Sequence, residues 1–137
     1  MLTPGLIGGL AGEEAKLAAA HPLHNALTAL PGSLSALHGE LVGFGVLVQS
    51  DLAGAGEAAV RAQAASFARL GVSCHLAALG CDAALGEAGR AVARETVATE
   101  PMRASFPHVD TNALFDAMVR VDGWSRAEAE NAAASTA

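Results

Sequence analysis

The chain has 137 residues, 52% of them apolar, with 8 Lys and Arg against 14 Asp and Glu and a formal net charge of −6 at pH 7. That length and apolar fraction suffice for one globular domain with a buried core and exclude a disordered chain. The basic residues stand singly in an acidic background, so they build no electropositive track for phosphates and nucleic acid is excluded as a partner.

The opening stretch MLTPGLIGGLAG lacks a basic leader region. Its glycines at 5, 8, 9 and 12 do not form the full G-x-G-x-x-G pattern, and no strand precedes them, so they read as a tight loop and close helix packing. A first helix is predicted from Gly12 or Glu13 to Leu30, opening on Glu13 and Glu14 and ended by Pro31-Gly32. Pro22 falls inside it, where a proline deletes a hydrogen bond and kinks the backbone at about 3 kcal/mol. A second helix, from His38 to Leu52, is apolar all round, which predicts a central position. Exposed apolar surface is expected around this helix. The third, Glu57 to Leu70, aligns Val60, Ala64 and Phe67 on one stripe, with Gly71 as its stop.

Residues 76 to 80 read as a short turn, and 83 to 98 as a further helix. Asp110 or Thr111 caps a last helix carrying Leu114, Phe115, Met118 and Val119, and the small, polar tail from Ser125 to Ala137 is expected to fray. The domain is thus expected to occupy residues 1–124, with 125–137 as its tail. With no alternating β pattern, the fold class is all-α, a helical bundle. No apolar stretch reaches the roughly 18 to 20 residues of a membrane span, so no membrane partner is expected. Cys74 and Cys81 fit neither a zinc knuckle nor a disulfide scaffold, and read as reduced, buried residues of a cytoplasmic protein.

Three of the five histidines fall in HPLHNALTALPGSLSALHGE, residues 21 to 40. On one straight helix His21 and His38 would lie about 25 Å apart, but the break at Pro31-Gly32 lets the chain turn back and bring imidazoles to one metal. From spacing alone they are equally read as hydrogen-bonded structural side chains. Glu40 reads as a carboxylate favoured by the helix dipole, and His75 and His108 as surface or structural histidines.

The segment AAAHPLHNALTALPGSLSALHGELVGFGVLVQSDL, residues 18 to 52, resembles the glycerol dehydrogenase-like branch of the iron-containing (group III) alcohol dehydrogenases, whose members read close to AAAHAxHNGLT followed by LHGEKVAFGxLxQ. PGLIGGLAGE and GVSCHLAALG are also similar to that branch, especially to its members acting on hydroxycarboxylates, and the likeness runs from Pro4 to Asp122. The resemblance implies the C-terminal, dehydroquinate synthase-like helical domain of such an enzyme. It implies a divalent metal, zinc or iron, held by His21 and His38 together with a carboxylate from an earlier part of the chain, with His24 and Asn25 beside the site. Pro22, Ala26 and Leu41 depart from the family pattern and bear on substrate preference.

The implied activity is NAD(P)-dependent oxidation of an alcohol, polyol or 2-hydroxycarboxylate, in an enzyme expected to be a homo-oligomer. The N-terminal nucleotide-binding domain is absent from these residues. The expectation is therefore a portion beginning inside the helical domain, unable to hold NAD(P) and inactive unless completed by an N-terminal half. Two alternatives stay open: a dehydroquinate synthase-like fragment, and a helical remnant that binds metal or a partner without turnover. The first normally shows GHxxGHAIE where this chain has HPLHNALT.

Overall fold

The computed structural model describes residues 18–28, 38–72, 74–76 and 86–136. Their regular elements are α1 (Ala20–Leu27), α2 (His38–Leu52), α3 (Glu57–Arg69), α4 (Glu87–Val97), α5 (Glu100–Ser105) and α6 (Thr111–Thr136). Among the described residues there is no strand, in keeping with the all-α expectation. No helix among them is long and apolar enough to cross a membrane.

Helix α2 takes the central place that its all-round apolarity predicts, packing against α1, α3 and α6. Leu41, Phe44, Leu47 and Val48 are buried in the core. Val42, Val46 and Leu52 of α2 are half-buried, and the exposed large hydrophobics among the described residues are Leu70, just after α3, and Val119 on α6. Among the described residues the expected bare apolar surface around α2 is thus not observed, because α1, α3 and α6 pack against it. Val60 and Ala64 of α3 are buried with Phe67 partly so, and Gly71 ends the segment at φ +81°.

Helix α6 completes the core with Leu114, Met118 and Val121, all fully buried, and packs on α2, α3 and α4. Its start follows prediction: an Asp110 carboxylate oxygen accepts the N–H of Ala113 at 2.8 Å. Its end does not. The helix continues to Thr136, with Ser125 buried, Arg126 donating to Asp122 at 2.8 Å and Arg61 of α3 donating to Glu128 at 2.9 Å. Ala, Glu and Arg are strong helix formers, and these anchors hold what composition alone suggested would fray.

Two further differences have local causes. Helix α5 was not expected; Thr99 precedes it in extended backbone and Pro101 lies in its first turn, where a missing N–H costs nothing. The same rule revises Pro22. Because α1 begins at Ala20, Pro22 sits in the first turn and removes no intrahelical bond, so the described helix carries no kink to explain. The predicted extensions of the first helix over 13–17 and 29–30, the Pro31-Gly32 break, the N-terminal glycines and Cys81 lie outside the described residues.

Candidate functional site

Helix α1 presents one polar line to solvent. His21, Asn25 and Thr28 are exposed, spaced four and three residues apart on one face, while Leu23, Ala26 and Leu27 are buried behind them. His21 is thus the open imidazole of the helix. His24 is not: it is 7% exposed, and its Nδ1 lies 3.2 Å from the Asn25 Oδ1. An amide oxygen only accepts, so in this pairing the imidazole donates from Nδ1. The rings of His21 and His24 stand side by side, centroids 6.3 Å apart and planes 26° from parallel.

His38 is the first residue of α2, and its side chain lies outside the described part of the structure. Among the described residues no group of three metal-capable side chains converges. Glu40 lies in the first turn of α2, where the dipole favours a negative charge, and is half-buried. The Cys74 thiol is pushed up to about 12, chiefly by burial and secondarily by the negative charge of Glu40. Cys74 is a free, buried thiol, as its composition-based reading had it. His75 is half-buried beside it, and His108 is exposed just before α6.

The position of α1 on α2 depends on two residues that sequence reasoning passed over. The backbone N–H groups of Ala19 and Ala20 both donate to Gln49 Oε1, at 2.9 and 3.1 Å. A Cβ added at Gly45, one turn earlier on α2, would lie 2.8 Å from the Ala20 carbonyl oxygen and 2.9 Å from its Cα. Gly45 is therefore the notch that admits the α1 backbone, and Gln49 the side chain that holds it. The only signal in the sequence was that Gln49 closes LHGELVGFGVLVQ, residues 37–49, the second of the stretches that carry the family likeness.

A second buried carboxylate has a structural task. Asp122 Oδ1 accepts the N–H of Leu76 at 2.7 Å and its Oδ2 pairs with Arg126, tying the Cys74–Leu76 loop to α6.

No protein-family model matches the chain. Two curated proteins match part of it. One is an uncharacterized oxidoreductase of Synechocystis sp., 53% identical over 49 residues, which are 36% of this chain and 13% of that protein. The other is hydroxycarboxylate dehydrogenase A of Escherichia coli, 50% identical over 50 residues, which are 36% of this chain and 14% of that protein. Over about a third of its length the chain is related to dehydrogenases. The matched segments span about one seventh of those relatives.

Proposed function

We propose that these residues are the metal-binding portion of an NAD(P)-linked dehydrogenase of the iron-containing alcohol dehydrogenase type, acting on a 2-hydroxycarboxylate in preference to a polyol. The observation that carries this reading is the 50% identity to a hydroxycarboxylate dehydrogenase over 50 residues. His21 and His38 would supply two imidazole ligands to a zinc-type ion, and a carboxylate from outside the 137 residues the third.

The backbone supports the pairing. Ala20 touches α2 at Gly45, and His38 lies seven residues before Gly45, two turns along the same face and about 10 Å away at 1.5 Å per residue. Two imidazoles of about 6 Å reach each, metal bond included, can span such a gap. His24, donating to Asn25, would stay inside the helix pair and brace the first turn beside His21. A divalent ion held there supplies Lewis-acid polarisation of the substrate hydroxyl. The exposed face of His21, Asn25 and Thr28 would border the substrate, and a nucleotide-binding domain beyond these residues would present the nicotinamide.

Cobalt(II) or zinc titration of the purified chain, followed by the imidazole resonances, tests the ligand pair. Weak binding is expected, with one protein ligand fewer than a usual catalytic zinc site, and it is abolished by His21→Ala and by His38→Ala. Binding unaffected by either substitution, or absent altogether, overturns the reading.

A further inference from the structure

We infer that Gln49 is a positioning residue for His21: its carboxamide fixes the first turn of α1 at a set height on α2. The inference rests on the reading of His21 as a ligand, but the contacts behind it stand on their own.

A helix start leaves several N–H groups without intrahelical partners, and the usual remedy is a local Ser, Thr, Asp or Asn. Helix α1 has none. Its N-cap is Ala19, in helical backbone conformation and with no side-chain cap, and the flanking residues are Ala18 and Ala20. Pro22 has no N–H to satisfy. The N–H groups of Ala19 and Ala20 go instead to a single acceptor 30 and 29 residues further along the chain, Gln49 Oε1, which has two lone pairs to receive them.

A local cap would fix only the conformation of the turn; a cap borrowed from α2 fixes its conformation and its place together. The Gly45 notch adds the second constraint, since Ala20 is fully buried against it. His21 is the next residue, so any slip of Ala20 along α2 moves the His21 Cα with it. Gln49 lies eleven residues, three helical turns, beyond His38, which puts the clamp and the second ligand in register on one face of the same helix. Helix α2 thus sets the spacing between the two imidazoles.

Nuclear magnetic resonance on the 137-residue protein tests this with Gln49→Met, which removes the acceptor, and Gln49→Glu, which keeps it. In Gln49→Met the amide-exchange protection of Ala19 and Ala20 is expected to fall at least tenfold, and the His21 ring signals to move and lose their contact with His24. Amides of Leu114 and Met118 in α6 should stay as they were. Gln49→Glu should restore the protection and the His21–His24 contact. If Gln49→Met does not fold, Gln49→Asn, one methylene too short for both N–H groups, serves in its place. The inference is overturned if His21 and the two amides are unchanged without the acceptor, or if Glu fails to restore them. In parallel zinc titrations Gln49→Met should weaken binding about tenfold. Zinc binding by neither protein would remove the metal reading and leave the exchange and ring measurements to decide the clamp.

Discussion

Replacing glycine by alanine at two places in this bundle should have opposite effects. Inside a helix the change gains about 1 kcal/mol of propensity. At Gly123 in α6 a new Cβ meets nothing within 4 Å, so Gly123→Ala should stabilise by about 0.5–1 kcal/mol. At Gly45 the Cβ would stand 2.8 Å from the Ala20 oxygen and 2.9 Å from its Cα, both backbone atoms that cannot rotate aside. Helix α1 must lift away, at an overpacking cost of about 1–3 kcal/mol. Lifting also stretches the two bonds to Gln49, each contributing about 0.5–1.5 kcal/mol. Set against the propensity gain, the net loss is about 1–5 kcal/mol, according to how far the two bonds are lost, with a fall of roughly 3–5 °C in Tm for each kcal/mol in a domain of this size. Urea unfolding of the three proteins, followed by far-UV circular dichroism, measures the difference at unchanged m. A Gly45→Ala protein as stable as wild type would show that α1 does not dock on α2 through this notch.

Asp122→Ala should destabilise by about 2–3 kcal/mol in the same assay, because the buried Leu76 N–H loses a charged acceptor, while Asp122→Asn keeps an acceptor and should lose less. Cys74 provides a pH test. A thiol whose folded pKa is raised to about 12 contributes stability that is complete below its ordinary value near 9 and is lost as pH climbs from there toward 12. With no tyrosine and one lysine in the chain, few other groups titrate in that window, so Cys74→Ala should flatten the alkaline fall measured by urea titration at several pH values. Ellman's reagent at pH 8 should label Cys74 far more slowly in the native protein than in urea; equal rates would contradict its burial.

Features governed by a residue and its near neighbours were legible in the sequence. The all-round apolarity of 38–52 gave the central helix, the Val60, Ala64 and Phe67 stripe gave the buried side of α3, and Asp110 three residues before Ala113 gave a cap. What escaped depended on partners far along the chain. The tail seemed too polar to be ordered because Arg61, which holds Glu128, is 67 residues away. Pro22 read as a kink because the start of α1 could not be placed to within a turn, and three residues decide whether a proline breaks a helix or begins one. The site divides the same way. His21 and His38 are proposed as ligands on family likeness alone, and the remote cap by Gln49 follows no short-range rule.

The dependence of the core on α6 also bears on biosynthesis. Leu114, Met118 and Val121 close a core whose central helix is finished by Leu52. At roughly 5–20 residues per second, a ribosome takes about 3–14 s to go from one to the other. During that interval the nascent α2 is a greasy rod without its final cover, and a chaperone that binds emerging apolar segments has its best target there. Slow codons placed between α2 and α6 should therefore lower the soluble yield, and a transient holdase should recover it.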